Sequence, residues 1–255
     1  MCRNPEGHPS GGEYFIGKVW PRLVHFVDWT NPNATEYWTK EIHDFHANIP
    51  FDGLWIDMNE ASNFCDGRCA LNFTIDAHED DQFSCLCDTQ EESSFNDPPY
   101  MPGLTYDNRA RKCVTIDNGL DCSSITMTAT HHNGGIEYDM HSLFGHQEAV
   151  ATNDALVTVR GERPFVLTRS TFAGTGGHAG HWLGDNNSFW SNLRVSVAGV
   201  LNMQIFGLPL VGADICGFAE KATPELCARF VRRCVLSYIA HHIMLPFTII
   251  FQRPG

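Results

Sequence analysis

The stretch Gly53-Leu54-Trp55-Ile56-Asp57-Met58-Asn59-Glu60 decides the reading of this chain. A short apolar run delivers two carboxylates and an amide into a polar loop. A carboxylate at the mouth of a buried strand must face a cleft, pair with a cation or take up a proton. Trp55, two residues earlier, is placed to offer a platform to a flat ligand face. Acid plus aromatic at a strand end points to carbohydrate chemistry. Asp57 and Glu60 compete for the reacting position. In an extended strand they point to opposite sides, and the last strand residue is the better placed, which favours Asp57. The competing reading of Asp57 is a structural carboxylate tied to Arg169.

The pattern around this stretch is that of an α/β protein. The spacing predicts a helix over 35–47, with Trp38, Ile42 and Phe45 on one face, and a strand over about 52–57. Further on it predicts helices over 137–159 and 188–205, strands over 165–168 and 208–213, and a helix opening at Thr223-Pro224-Glu225. Alternating strands and helices with polar strand ends indicate a parallel sheet. A (β/α)8 barrel is the first expectation, since it gathers catalytic groups from several strand ends on one face. A doubly wound sheet is the second, and it lacks a glycine-rich phosphate fingerprint. Ala173-Gly174-Thr175-Gly176-Gly177 has neither the lysine nor the spacing of a P-loop. The whole chain, 1–255, reads as one partial barrel domain. It carries a Cys-rich insertion over about 61–130 and an atypical tail over about 232–255.

Composition narrows the function. The 255 residues carry a net charge of −13 with only 17 Lys and Arg, which argues against nucleic-acid or anionic-membrane partners. Ten cysteines, six of them between Cys65 and Cys122, fit disulfides in an oxidising compartment better than metal binding. Cys85-Leu86-Cys87 is too tight for a usual zinc pair. The sequons at Asn33 and Asn72 agree with a secretory setting. Asn186-Asn187-Ser188 is a third formal sequon, set among residues expected in the active site. Met1-Cys2-Arg3-Asn4-Pro5 does not resemble a signal peptide, so the chain is expected to lack its natural start. The uncharged run from Cys234 to Phe251 is long enough for a membrane helix, but Pro246 and His241-His242 favour a buried helix and strand or a non-native tail.

Three strand ends carry the charged candidates: Asp57 and Glu60, then Arg169 with Asp185 in the loop beyond it, then Asp214. Such a set suits glycoside hydrolysis, which needs one carboxylate as nucleophile or base and one carboxylic acid as proton donor, about 5 Å apart in a retaining enzyme. Asp185 could instead cap the following helix, a role Asn187 or Ser188 could also fill. Asp214 is expected to pair with Arg169 or to grip a sugar hydroxyl. Trp20, Trp55, Trp182 and Phe218 are either core residues or a stacking surface. His178 and His181 suggest a metal, but their segment is glycine-rich, and loop histidines with ordinary partners are expected there.

Trp55-Ile56-Asp57-Met58-Asn59-Glu60 resembles the nucleophile motif of glycoside hydrolase family 31, the family of the acid and intestinal α-glucosidases. Gly17-Lys18-Val19-Trp20-Pro21, Thr30-Asn31-Pro32, Arg169-Ser170-Thr171-Phe172-Ala173-Gly174, His181-Trp182-Leu183-Gly184-Asp185-Asn186 and Gly212-Ala213-Asp214-Ile215-Cys216-Gly217-Phe218 resemble its other motifs in the same order, over about residues 14–231. The resemblance implies a retaining α-glycosidase with Asp57 as nucleophile and Asp185 as general acid and base. Arg169 and Asp214 would bind sugar hydroxyls, and Trp20, Trp55, Met58, Trp182 and Phe218 would line the pocket. It implies a Cys216–Cys227 disulfide, no metal or organic cofactor, an α-linked oligosaccharide as substrate and a lysosomal, vacuolar or extracellular location. The family's early acidic strand residue and its later sugar-binding histidine have no match, so the barrel is expected to be incomplete at both ends. An inactive fragment or carbohydrate-binding relic is the alternative function, and a metal-dependent hydrolase the third.

Overall fold

The computed structural model describes residues 14–64, 68–69, 85–86 and 124–239. The chain divides into two compact units, Met1–Ala34 with Glu60–Phe144, and Thr35–Asn59 with Gly145–Gly255.

In the first unit, strands β1 (Gly17–Val19) and β2 (Arg22–Val24) form an antiparallel hairpin whose turn is Trp20-Pro21. Proline suits a turn because its φ is already fixed. Trp20 is 69% exposed there and meets Phe64 edge-on. The core of this unit gathers Phe15, Ala61, Ile125, Ala129 and Phe144, with Phe26 and Trp29 packed around them. Beside it His131 lies fully buried between two carboxylates, Nδ1 at 3.1 Å from Asp28 and Nε2 at 2.8 Å from Glu137. Burial alone would raise the Asp28 carboxyl. Hydrogen bonds from His131, Thr30 and His132 outweigh that and hold it well below the usual carboxylate range. Two short strands, β4 (Arg68–Cys69) and β5 (Cys85–Leu86), pair antiparallel. Of the expected insertion, residues 65–67, 70–84 and 87–123, Asn72 included, lie outside the described residues, as does the tail beyond Ile239.

The second unit holds a four-stranded sheet, every strand parallel: β3 (Gly53–Ile56), β6 (Phe165–Thr168), β7 (Gly180–Trp182) and β8 (Val211–Gly212), in that order. Helix α1 (Asn33–Asn48) leads into β3, α2 (Phe144–Arg160) into β6, and α3 (Trp190–Ile205) into β8. Helix α4 (Pro224–Ile239) follows β8. Its cap is as the sequence indicates: the Leu226 amide donates to Thr223 Oγ1 at 3.2 Å, and Pro224 opens the first turn. One face of the sheet buries Ile56 and Val166 against Ile42, Ala149, Ala155 and Leu156, with Trp38 and Leu54 beside them. Trp38 Nε1 donates to the buried Thr152 Oγ1 at 2.9 Å, so the one polar end of this tryptophan is satisfied inside the core.

Five expectations are corrected. The helix predicted over 137–159 is broken: a turn at Glu137–Met140 and a tighter one at His141–Leu143 precede α2. The strand over 208–213 shortens to two residues. Strand β7 takes the place of an expected loop, because glycines at 174, 176, 177 and 180 mask the bulky His181-Trp182 pair. The link from β6 to β7 has no α-helix, only one tight turn at Thr175–Gly177, so strict strand–helix alternation fails at that point. In α3 the expected apolar face is only partly used. Val200 is buried, while Val197 and Leu201 are exposed.

Candidate active site

The register of the sheet sets out the site. Trp55 is level with Leu167, Leu167 with Gly180, and Trp182 with Gly212. Residues level across parallel strands share a face, and each strand returns to that face two residues later. Asp57, Arg169, Trp182 and Gly212 therefore form one row at the strand ends, on the face turned away from the Ile56–Val166 core. The ladder continues just past the strands, with the Arg169 amide donating to Ile56 O at 3.3 Å and the Leu183 amide to Gly212 O at 2.9 Å.

That row brings opposite charges together. Arg169 Nη1 stands 3.2 Å from Asp57 Oδ1, and the Met58 amide donates to the same oxygen at 2.8 Å. Met58 holds a left-handed backbone, φ 60°, which turns the chain immediately after Asp57. A non-glycine residue in that region is strained, and such strain persists where surrounding contacts over-determine it. Asn59 supplies those contacts. Its buried Nδ2 donates to Thr168 Oγ1 at 2.6 Å and to Gly145 O at 3.3 Å, and its Oδ1 accepts from the Ser170 amide at 2.8 Å. The ends of β3 and β6, and with them Asp57 and Arg169, are thus fixed to each other.

The other two acids lie further out along the neighbouring strands. Asp185 is exposed, three residues beyond Trp182. It is not a helix cap: Phe189 occupies the position before α3 and makes no side-chain capping bond, while Ser188 Oγ donates away from the helix, to Ala219 O and Glu220 O. Asp214, two residues beyond Gly212, does not pair with Arg169 as one reading had it. Its Oδ2 is buried without a hydrogen-bond partner among the described residues. Burial, then the charges of Asp185 and Asp57, push its carboxyl up to about 6. Three carboxylates therefore share one electrostatic neighbourhood, with Arg169 on the Asp57 side.

Of the predicted pocket aromatics, Trp55 and Trp182 meet edge to face at 5.3 Å. Trp182 is buried, and Trp55 is 44% exposed on the open face. Phe218 is 64% exposed in the loop after β8. Cys216 and Cys227 form the expected disulfide, joining that loop to the first turn of α4. Trp20 belongs to the first unit. Asn33 is exposed at the first position of α1. His181 is buried with Nδ1 at 3.1 Å from Thr168 O, and His178 faces the ring of His146. Burial lowers the His181 pKa, against hydrogen bonds from its ring to the Thr168 and Arg169 backbone that raise it. Among the described residues no group of three metal-ligating side chains converges.

Sequence reasoning missed the hydrogen bonds made by two asparagines next to the acids. Asn59 stood in the motif only as an amide, and Asn186 only as a sequon. Nothing in the residue pattern reveals that each spans two strand ends. The one available signal is that both follow an acid directly or at one remove.

A parallel sheet with its acids, an arginine and aromatics gathered at the strand ends of one face is the arrangement of a (β/α)-barrel domain. Residues 1–243 match the Glycosyl hydrolases family 31 TIM-barrel domain, and the chain belongs to that family. It is 43% identical to alpha-xylosidase 1 of Arabidopsis thaliana over 86% of its length, covering 24% of that protein. It is 42% identical to the lysosomal alpha-glucosidase of Rattus norvegicus over 87% of its length, covering 20% of that protein. Among solved structures, the glucosidase II alpha subunit bound to Glc1Man2 aligns with 91% of the chain at a TM-score of 0.64 and 26% identity, covering 19% of that chain. The chain thus spans a quarter or less of the length of these relatives.

Proposed function

We propose that this site is the catalytic centre of a retaining α-glycosidase that removes terminal α-linked glucose from oligosaccharides. The observation that carries the reading is the row of Asp57 and Arg169 on the open face, with Asp185 close enough to act on Asp214. Membership of a family that includes α-glucosidases supports it, as do the names of the relatives.

In this mechanism the Asp57 carboxylate attacks the anomeric carbon as the Asp185 carboxylic acid gives its proton to the glycosidic oxygen. The bond from that oxygen to the anomeric carbon breaks, and the freed alcohol leaves. Asp185, now a carboxylate, takes a proton from water, whose oxygen displaces Asp57. Two inversions return the α-anomer. Arg169 orients the Asp57 carboxylate and, with Asp214, binds hydroxyls of the sugar. Trp55, Met58, Trp182 and Phe218 form the apolar surround. The disulfide and the exposed Asn33 sequon fit a protein of the secretory pathway.

The test is incubation with a cyclitol epoxide of α-gluco configuration, read by intact mass, alongside turnover of aryl α-glucosides and α-xylosides. One covalent adduct at Asp57, lost in Asp57→Ala together with turnover, is expected. A folded wild-type protein that neither labels nor turns over would establish the inactive or sugar-binding alternative.

A further inference from the structure

Asp185 is exposed, so packing does not set the direction of its side chain. What sets its backbone is the next residue. Asn186 Oδ1 accepts from the Asp214 amide at 3.0 Å, and Asn186 Nδ2 donates to Asp214 O at 3.3 Å. One side chain thus pairs with both polar groups of the Asp214 backbone, as a neighbouring strand would. Its main-chain oxygen accepts from Phe218 at 2.7 Å. The next residues extend the clasp. Asn187 bridges Ala219 in parallel, and the Ser188 amide donates to Ala219 O at 2.8 Å. The contact is close at Gly217, where an added Cβ would stand 2.6 Å from the Ser188 amide nitrogen. Its φ of +106° independently favours glycine. The partner loop is fixed in turn by the Cys216–Cys227 disulfide to α4.

We propose that Asn186 is a positioning residue for the proton donor, holding Asp185 in place through the disulfide-pinned loop 214–220. The inference rests on the α-glycosidase reading. It assigns the asparagine of the third sequon a structural task inside the site, with its amide already committed to the Asp214 backbone. It also separates two positioning devices: Asn59 serves the nucleophile side, and Asn186 the acid side. Loss of Asn186 should therefore affect proton transfer far more than attack.

The test compares Asn186→Ala with the wild-type protein on two substrates. An α-glucoside with a poorly acidic alcohol leaving group needs the proton, whereas α-glucosyl fluoride departs with little help. Positioned general acids contribute about 10²–10⁴-fold. Asn186→Ala is expected to lose about 10²-fold in kcat/KM on the first and no more than about 3-fold on the second. Ser188→Ala, which removes the Oγ bonds to Ala219 and Glu220, serves as the control for simple loosening and should lower both together. Equal losses on both substrates in Asn186→Ala would overturn the proposal. A second readout needs no turnover: 13C-detected titration of the Asp214 carboxyl. Its midpoint, about 6 in the wild type, falls in Asn186→Ala as Asp185 moves away and the loop opens. An unchanged midpoint also overturns the proposal. If the wild type hydrolyses neither substrate, the glycosidase reading fails, and the titration still decides whether Asn186 fixes Asp185 beside Asp214.

Discussion

Asp214→Asn should stabilise this protein at neutral pH and leave its stability nearly unchanged in acid. The Asp214 carboxyl is raised from 3.8 to about 6, first by burial and then by Asp185 and Asp57. Between those values the folded state binds the proton that the unfolded chain has released. Stability therefore falls as pH rises through that window, and the cost is complete above about 6. At full value the rise corresponds to about 3 kcal/mol. Oδ2 is sealed from solvent, but the residue as a whole is only partly buried, and screening reduces the figure to about 1–2 kcal/mol. The amide has the same shape and no charge to desolvate. Any misfit it introduces acts equally at every pH, so the pH dependence of the difference isolates the electrostatic part. Urea unfolding of both proteins at pH 4 and pH 7.5, with the slopes compared, gives the measurement. A gap between variant and wild type that is the same at both pH values would refute the reasoning. The same substitution should weaken substrate binding, because it replaces the carboxylate proposed to accept a sugar hydroxyl with a weaker acceptor.

Gly145→Ala should cost about 1–3 kcal/mol and slow labelling of Asp57, because the new Cβ would stand 2.5 Å from Asn59 O and from Ser170 Cβ and force the ends of β3 and β6 apart. Urea unfolding and the rate of adduct formation check the two effects, and normal values for both would show that the node is slack. His131→Gln should destabilise the first unit by about 1–3 kcal/mol at neutral pH, since one side-chain amide cannot reach both Asp28 and Glu137 as the two ring nitrogens do. Amide hydrogen exchange at Ala129 and His132 reads this. The gap to wild type should narrow in acid: the depressed Asp28 contributes stability above its unfolded value of 3.8 that is lost as pH falls.

The sequence exposed those parts of the fold where one periodicity dominates. Strand β6, Phe165-Val166-Leu167-Thr168, is a continuous apolar run and was legible to the residue. Helix α1 was legible because Trp38 and Ile42 repeat at four residues and both meet the core. Strand β7 was not, since its glycines are the residues that usually end strands. At Gly180 the absence of a side chain lets the backbone pass close to Leu210, where an added Cβ would stand 3.1 Å from Leu210 O. The candidate acids were visible because a charge at the end of an apolar run is anomalous in one dimension. Their partners were a different matter. That Arg169 meets Asp57 rather than Asp214 follows from register, and register is a property of strands 112 residues apart in the chain, not of either strand alone.

Register also explains why the two asparagines matter more than their place in the motifs suggested. A parallel ladder fixes Trp55 beside Leu167 and Trp182 beside Gly212 through backbone bonds, but the proposed reacting groups lie one to three residues beyond the last paired positions. Beyond those positions the backbone bonds thin out, and each acid would otherwise take its position from a loop. A side-chain amide carries a donor and an acceptor at a fixed separation, as a peptide group does. It can therefore continue a ladder for one step where the chain must diverge. Asn59 does so between β3 and β6, and Asn186 between the loops after β7 and β8. A hydroxyl or carboxylate could supply only part of this, and a carboxylate would add charge beside Asp57, Asp185 and Asp214. The choice of asparagine at both positions thus suits the proposed chemistry: that chemistry needs carboxylates at the strand ends, and a neutral amide continues the ladder there without adding another.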